Sequence, residues 1–229
     1  MKRRKNKASP KPRNEHVILL HGILRSKTDM LPLKIYLEKN GYDVLNILYP
    51  SRKKSLEDLT EFVHEKITAA TEKSGRLHFV THSMGGLIAR YYIVKKNPEN
   101  LGHVVMLGPP NTGSEFADFL KDHKVFAAAF RKIFGPASDQ LTTKYALDGA
   151  DITYPLGVIA GNKSINPLAP WVLPKKKVGA HDGIVPVERT KIKGMADHIV
   201  VPSTHTFMMF NPKVMRQVQY FLENGKFKA

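Results

Sequence analysis

Residues 77–90 read Leu-His-Phe-Val-Thr-His-Ser-Met-Gly-Gly-Leu-Ile-Ala-Arg, and this stretch joins a strand pattern directly to a helix pattern. Phe79 and Val80 are strand formers, whereas apolar residues recur at helical spacing after Gly86. A serine at such a sharp turn, here Ser83, presents its hydroxyl at the top of a sheet beside a helix N-terminus. Ser83 is therefore a candidate nucleophile, although a capping serine at an ordinary strand-to-helix turn would give the same short pattern.

The rest of the chain alternates strand and helix patterns. The predicted strands span residues 17–20, 44–48, 77–81, 104–107, 156–160 and 198–201. The predicted helices span residues 29–40, 55–73, 84–97 and 212–223. Such alternation predicts an α/β fold with a mostly parallel sheet of about six strands and helices on both faces. Active sites in this architecture lie beyond the carboxyl ends of the strands, which is where Ser83 falls.

Composition predicts one globular domain with a basic arm. The chain has 229 residues, of which 42% are hydrophobic, and this length suits a single core. Residues 1–14 are rich in Lys, Arg and Pro and predict a disordered arm, followed by a domain over 15–229. The net charge is +16, and the first thirteen residues hold seven lysines and arginines and no acid. The chain has no cysteine, which excludes disulfides and thiolate metal sites.

The basic surface bears on location and partners. No apolar run approaches the roughly 20 residues that span a bilayer, and no signal-peptide core follows the basic start. We therefore expect a cytoplasmic protein, although a sequence trimmed of an export signal would look the same. Peripheral contact with an anionic membrane fits the charge, as does a solvated surface that only maintains solubility. Specific nucleic-acid binding is not expected.

Two long segments interrupt the alternation. Nearly fifty residues separate Leu107 from Leu156, too many for an ordinary crossover loop, and they predict a helical lid insertion over about 114–153. Five of the eleven phenylalanines fall within nineteen residues there, and an apolar lid face would bind an acyl chain, although rings of this kind also pack into cores. The candidate substrate-binding residues are Phe116, Phe119, Phe126 and Phe130. The second segment, 162–180, holds the only tryptophan and three consecutive lysines.

A serine hydroxyl needs a histidine base, which in turn needs an acid to hold its tautomer. In this architecture both follow the serine in the order acid, then histidine, on loops after late strands. His205 lies just beyond the strand predicted over 198–201, and Asp182 lies in the segment His-Asp-Gly-Ile-Val-Pro. These two residues are the candidate base and acid.

Other histidines and acids compete for these roles. The competing residues are His82, His181, His198, Asp148 and Asp151. His198 begins a predicted strand, and the two aspartates precede the strand at Leu156, so all three belong at the wrong edge of the sheet. His82 and His181 stay open as alternatives on position alone.

A developing oxyanion needs preorganised N–H donors. The first is the backbone N–H of Met84, directly after the candidate nucleophile. The second should come from the loop after the first strand, where His21-Gly22 precedes Ile23. Gly22 permits the backbone to turn and approach closely. Ile23 and Met84 are therefore the candidate oxyanion-hole residues.

These features together resemble the α/β-hydrolase superfamily, and most closely its bacterial lipase- and esterase-like members. Four blocks carry the resemblance: Val17–Gly22, Thr81–Gly86, Gly108–Ser114 with Ala117–Phe119, and Asp182–Pro186. The resemblance implies a Ser83–Asp182–His205 triad, an acyl-enzyme on Ser83 and an oxyanion hole at Ile23 and Met84. Thr81 departs from the glycine usual two residues before the nucleophile. Because the first predicted strand already ends in His-Gly, the resemblance implies the smaller sheet of minimal lipases, without the first two strands of the full fold.

We therefore expect a serine hydrolase that cleaves carboxylic esters with an apolar acyl group, so its partner is an ester or lipid-like small molecule. An amidase, thioesterase or acyltransferase would use the same triad. A binding protein that engages nucleic acid through its basic arm is the third alternative. No cofactor or metal is expected, because the chain lacks a Gly-rich phosphate loop, a His-x-x-x-His metal motif and a calcium-ligand pattern.

Overall fold

The computed structural model describes residues 13–71, 75–122, 135–141 and 152–229. In these residues, six strands form one sheet in the order β2-β1-β3-β4-β5-β6, and every pair is parallel. The strands are β1 (Glu15–Leu20), β2 (Asp43–Ile47), β3 (Arg76–His82), β4 (Leu101–Leu107), β5 (Leu156–Gly161) and β6 (Asp197–Val201). The prediction of six strands is confirmed, and the sheet is wholly rather than mostly parallel.

The four long helices predicted from periodicity are also present. They are α1 (Leu31–Glu38), α2 (Leu56–Ala70), α3 (Met84–Lys96) and α8 (Pro212–Asn224). Short helices that periodicity did not predict are α5 (Ala169–Val172), α6 (Lys175–Val178) and α7 (Val187–Thr190), with a 3-10 helix at Met208–Phe210. These lie in the segments around β5 and β6, where single turns leave too few residues to show a period.

The predicted lid segment is described only in part. It contains α4 (Glu115–Asp122) and a 3-10 helix at Pro136–Leu141. Residues 123–134 and 142–151 lie outside the described part of the chain. The predictions for Phe126 and Phe130, and the competing acids Asp148 and Asp151, fall on those residues.

The helices cover both faces of the sheet and give it two cores. On one face α2 and α3 pack against alternate strand residues, including Ile18 and Phe79. On the other face α1 and α8 pack against the intervening residues, including Val17 and Val80. Successive strand side chains point to opposite faces, so a strand buried on both sides reads as a continuous apolar run. This arrangement leaves the two ends of the strands, rather than the faces, free to build a site.

Residue pairing brings the strand ends together. Leu20 at the end of β1 pairs with Thr81, and His82 at the end of β3 pairs with Leu107 at the end of β4. Gly161 and Val201 pair at the ends of β5 and β6. Segments leaving these ends therefore meet at one edge, which we call the carboxyl edge.

The first described residue is already attached to the body of the protein. The guanidinium of Arg13 donates to Glu223 Oε1 (2.6 Å) and to the carbonyl oxygen of Asn40 (3.2 Å). It also lies over the ring of Tyr42, 4.6 Å from the centroid. Arg13 belongs to the predicted arm over residues 1–14, and its charge pattern alone could not show that it meets an acid 210 positions away. Residues 1–12 lie outside the described part.

Close packing between α3 and β1 explains one of the two glycines after Ser83. A Cβ built on Gly85 would lie 2.5 Å from the carbonyl oxygen of Leu20 and 2.9 Å from that of His21. Both are backbone atoms and cannot yield easily. A Cβ on Gly86 would instead meet side-chain atoms only, 3.1 Å from Met106 Sδ and 3.2 Å from Pro109 Cβ.

We predict that Gly85→Ala destabilises the protein by at least about 3 kcal/mol, because the methyl group must push α3 away from β1. Gly86→Ala is the matched control and should cost only about 1 kcal/mol, since the side chain of Met106 can move. Urea unfolding followed by circular dichroism measures both. Equal losses in the two variants would contradict the assigned packing.

Candidate active site

Ser83 occupies a strained turn between β3 and α3. Its backbone has φ 54° and ψ −125°, a conformation that non-glycine residues rarely adopt and that costs about 1–3 kcal/mol. The N–H of Ser83 donates to the carbonyl oxygen of Leu107 (2.9 Å), and the N–H of Gly86 donates to that of Ser83 (2.9 Å). These bonds fix the turn from both sides. The hydroxyl is therefore carried at the carboxyl edge, beside the N-terminus of α3.

Asp182 and His205 form a buried hydrogen-bonded pair at the same edge. His205 Nδ1 donates to Asp182 Oδ2 over 2.6 Å. The two residues are 7% and 2% exposed, so water hardly competes with this bond. The bond assigns the proton to Nδ1 and leaves Nε2 as the nitrogen that can accept another.

The aspartate is held by its own turn and by the backbone of the histidine. Asp182 Oδ1 accepts from the N–H groups of Ile184 (3.0 Å) and Val185 (2.8 Å). The N–H of His205 donates to the carbonyl oxygen of Asp182 (3.0 Å), so a backbone bond and a side-chain bond join the two loops. The pair rests on Gly108, where a Cβ would lie 3.0 Å from Asp182 Oδ2.

Ser83 and His205 line the same cavity, but no hydrogen bond joins their side chains in the described part of the structure. Hydrogen bonds between a nucleophile and its base are often long without substrate and tighten when it binds. His205 Nε2 is the ring atom left for that contact.

The competing histidines have other partners. His82 Nε2 donates to the carbonyl oxygen of His205 (2.9 Å), and the two rings lie 4.7 Å apart. Burial holds the pKa of His82 well below its usual range, so its ring is neutral and supports the His205 loop. His181 Nδ1 accepts from the N–H of Gly183 (3.2 Å), and His198 Nε2 donates to Thr190 Oγ1 (2.9 Å). Of these three, only His82 lines the cavity.

Two backbone N–H groups at the carboxyl edge are available as oxyanion donors. Within the described residues, neither Ile23 N–H nor Met84 N–H donates to a backbone carbonyl. Met84 is the first residue of α3, whose opening N–H groups have no partner within the helix. Gly22 brings the first loop close, since a Cβ there would lie 3.1 Å from that of Ser83. Leu24 turns the loop away with a positive φ of 58°.

The loop after β1 is fixed from beneath by His21 and Tyr49. Their rings stack 4.0 Å apart and nearly parallel, and the Tyr49 hydroxyl donates to the carbonyl oxygen of His21. His21 Nδ1 donates to the carbonyl oxygen of Gly22 (2.8 Å). Burial lowers the pKa of His21 and raises that of Tyr49, so both rings stay neutral. Sequence reasoning missed Tyr49, because only the fold brings it beneath His21.

A cavity of about 370 Å³ opens beside Ser83. Its wall is mainly apolar. The residues around it are Ile23, Leu24, Arg25, His82, Ser83, Pro110, Ser114, Phe116, Ala117, Leu120, Leu141, Ile184, Val185, His205 and Thr206. Of the candidate substrate-binding residues, Phe116 lines this cavity. Phe119 does not line the cavity. Phe116, Ala117 and Leu120 span an arc of about 100° around the axis of α4, and Phe119 lies roughly 60° outside that arc.

The loop after β4 joins the lid segment to the acid loop. Ser114 Oγ donates to the carbonyl oxygen of Ile184 (2.7 Å), and Arg189 Nε donates to Glu115 Oε1 (2.7 Å). Asn111 Nδ2 donates to the carbonyl oxygen of Thr190 (2.8 Å). These contacts hold the start of α4, and with it Phe116, against the segment that carries the aspartate.

In the described part of the chain, no helix is long and apolar enough to cross a membrane. Nor do three or more His, Asp or Glu side chains of the described ranges come together as they would around a metal ion.

Thr81, two residues before Ser83, is fully buried at the end of β3. Its hydroxyl makes no hydrogen bond with any described residue. The threonine therefore fits the turn sterically, but it buries an unsatisfied polar atom two residues from the nucleophile candidate.

We predict that Thr81→Val raises the free energy of unfolding by about 1 kcal/mol, because it removes an unpartnered buried hydroxyl. The matched control is Thr60→Val, where the buried hydroxyl donates to the carbonyl oxygen of Leu56 (2.8 Å) and its loss should not stabilise. Urea unfolding midpoints compare the two variants. Destabilisation by Thr81→Val would show that the hydroxyl has a partner.

Comparisons by sequence and by structure both find that this chain is similar to esterases and lipases. A family model described as "Putative serine esterase (DUF676)" matches residues 11–121. Triacylglycerol lipases of Pseudarthrobacter phenanthrenivorans and Burkholderia plantarii are each 34% identical over 88 residues, which is 34% of this chain. That match spans only 27% and 24% of those two enzymes, so the likeness concerns about a quarter of each relative.

Solved structures match over nearly the whole chain. The mature lipase BlEst2 of Bacillus licheniformis superposes with a TM-score of 0.74 at 20% identity, covering 95% of this chain and 94% of that one. A metagenomic carboxyl esterase gives 0.69 at 17% identity, with coverage of 88% and 68%. Phospholipase PlaB of Legionella pneumophila gives 0.67 at 17% identity, with coverage of 93% and 60%. The solved structures give the chain an α/β-hydrolase fold, and over part of its length the sequence is similar to triacylglycerol lipases and to a family described as serine esterases.

Proposed function

We propose that the protein is a serine hydrolase of carboxylic esters that carry an apolar acyl group. Ser83 is the nucleophile, His205 the general base and Asp182 its acidic partner. The observation that carries the proposal is the 2.6 Å bond between His205 and Asp182, at the edge of a cavity that also exposes Ser83. A serine at a strained turn beside a histidine whose tautomer is fixed is the arrangement that acyl transfer requires.

Acylation follows from the positions of these groups. Ser83 Oγ attacks the ester carbonyl carbon while its proton passes to His205 Nε2. Negative charge then develops on the carbonyl oxygen, which the N–H groups of Ile23 and Met84 stabilise. His205 returns the proton to the leaving alkoxide, and the alcohol departs. The acyl group remains bonded to Ser83 Oγ.

Deacylation repeats the same steps with water. His205 Nε2 takes a proton from water, whose oxygen attacks the acyl carbon, and then returns that proton to Ser83 Oγ as the carboxylic acid leaves. Asp182 stabilises the imidazolium in both halves of the cycle without taking its proton. The two N–H groups that donate to Asp182 Oδ1 hold the carboxylate in the orientation that this role needs.

The cavity supports an apolar acyl group. Its wall is formed mostly by aliphatic side chains and by Phe116, and α4 contributes Ala117 and Leu120 to the same side. Such a wall offers an acyl chain burial worth about 0.8 kcal/mol per methylene. The names of the relatives, which include triacylglycerol lipases, a carboxyl esterase and a phospholipase, support the same substrate class.

The leaving group is less constrained than the acyl group. Amides, thioesters and acyl transfer to an acceptor would all pass through the same acyl-enzyme on Ser83. The ester is favoured because the relatives matched in sequence are described as esterases and lipases. A panel of esters, thioesters and amides with one common acyl chain distinguishes these reactions.

We predict that the protein hydrolyses p-nitrophenyl esters and that kcat/KM rises roughly fourfold per added methylene until the cavity is filled. Ser83→Ala should lower turnover of every ester by about 10⁴-fold or more, because the nucleophile is lost. Initial rates of nitrophenolate release measure both effects.

The control is Ser51→Ala, a buried serine after β2 that does not line the cavity and should keep full turnover. Retained activity in Ser83→Ala would overturn the proposal. If the rate is highest with the acetate ester and falls as the acyl chain lengthens, the proposed preference for an apolar acyl group is contradicted.

A further inference from the structure

Exposed apolar side chains concentrate at the edge that carries the cavity. In the described ranges, seven of the eleven exposed large apolar residues lie in segments that leave the carboxyl ends of the strands. They are Leu24, Leu48, Ile165, Leu168, Trp171, Phe207 and Phe210. Isolated exposed apolar residues are ordinary, but a cluster on one side of a molecule marks an interaction surface.

Trp171 is the most exposed of them. It lies on α5 and is 85% exposed, although its neighbours Ala169 and Leu173 on the same short segment are fully buried. The N–H of Leu173 donates to the carbonyl oxygen of Ala169 over 2.7 Å. The indole therefore projects from an anchored turn. A large amphipathic ring held out in this way suits a boundary between water and an apolar phase.

The segment that carries Trp171 is attached to the walls of the cavity. Helix α5 packs against α4, which contributes Phe116 and Leu120 to the cavity. Asn166 Nδ2 donates to the carbonyl oxygen of Gly183 (2.8 Å), one residue after the proposed acid. Anything that binds Trp171 is therefore brought beside the proposed active site.

Two phenylalanines in the segment after β6 also belong to this surface. Phe207 and Phe210 are half exposed, and their rings lie 6.1 Å apart. Together with Lys163 they line a shallow depression. Phe207 directly follows Thr206, which lines the cavity beside His205. We call Ile165, Leu168, Trp171, Phe207 and Phe210 the apolar rim.

Within the segment that carries Trp171, the charge is of one sign. Residues 162–180 contain four lysines and no acidic residue. Lys175, Lys176 and Lys177 on α6 are all exposed. Each lysine near an anionic bilayer strengthens binding by roughly fivefold. A second copy of the same surface would instead place like charges face to face, which disfavours self-association.

We propose that the apolar rim and Lys175–Lys177 dock the protein on an anionic phospholipid bilayer, with the mouth of the cavity facing the lipid. This inference rests on the proposed function and names the source of its substrate. Trp171 enters the interfacial region, the lysines contact the headgroups, and lipid reaches Ser83 without crossing bulk water.

The chain carries its own probe of this contact, because Trp171 is its only tryptophan. The experiment uses the full chain with Ser83→Ala, so that lipid is not consumed, and vesicles of phosphatidylcholine with or without phosphatidylglycerol. Tryptophan emission should shift to the blue with the anionic vesicles, and lipids brominated on their acyl chains should quench it. Both effects should weaken as salt is added.

The seven cations among residues 1–13 also attract anionic vesicles, so the variants must separate the two sources of charge. Replacing Lys175, Lys176 and Lys177 by Gln should weaken binding roughly 100-fold. The matched control replaces Lys39, Lys226 and Lys228 by Gln. These exposed lysines lie at the opposite edge, where the N–H of Phe227 donates to Asp197 at the start of β6. The control should bind nearly as well as the parent.

Hydrolysis of soluble p-nitrophenyl esters by both triple variants, with Ser83 intact, reports folding and the proposed function independently of docking. The docking surface would be overturned if vesicles bind without a change in tryptophan emission, or if the two triple variants lose vesicle binding equally. Either result would leave the hydrolase assignment intact. An emission shift that depends on protein concentration without vesicles, together with a dimer mass, would assign the rim to a second copy instead.

Discussion

The positive φ of Ser83 is the constraint on which the rest of the site depends. With a φ of 54°, Ser83 ends β3 and turns the chain sharply, so that α3 starts at the next residue and passes close to β1. Gly85 allows that approach, because no Cβ stands between α3 and the carbonyl oxygens of Leu20 and His21. The same approach sets the N–H of Met84 beside the loop that carries Ile23. One strained residue thereby places the proposed nucleophile and both proposed oxyanion donors.

The remaining groups are joined to this turn by direct hydrogen bonds between loops. His82, the residue before the turn, holds the carbonyl oxygen of His205, and His205 is bonded to Asp182 through side chain and backbone. Ser114 then joins the loop after β4 to the acid loop at Ile184. The bonds that His205 makes are buried, so each is stronger than it would be in water, and the loss of one leaves a polar atom without a partner. The loops therefore hold the serine turn, the histidine and the aspartate in place before substrate binds, and the contact between Ser83 and His205 is the one left to form.

Local pattern was enough to predict the six strands, the four long helices and the positions that meet at the carboxyl edge. Strand and helix periodicity are local properties, and the order serine, aspartate, histidine is the one that accompanies a serine at this kind of strand-to-helix turn. The sequence did not show in which direction a side chain points, or which residues far apart in the chain contact each other. Phe119 lies off the cavity wall because of its rotation on α4, Tyr49 stacks on His21 across 28 positions, and Arg13 joins the body through Glu223. The short helix that carries Trp171 has too few residues to show a period.

The most direct test of the central claim is covalent labelling with a fluorophosphonate, which forms a stable bond only with an activated serine. Peptide mapping by mass spectrometry should find one adduct, on Ser83, among all serines of the chain. Its rate of formation should fall steeply in Asp182→Asn, because the amide cannot hold His205 in the required tautomer. The account would be contradicted by an adduct on another serine, by no adduct in a folded protein, or by a labelling rate that Asp182→Asn leaves unchanged.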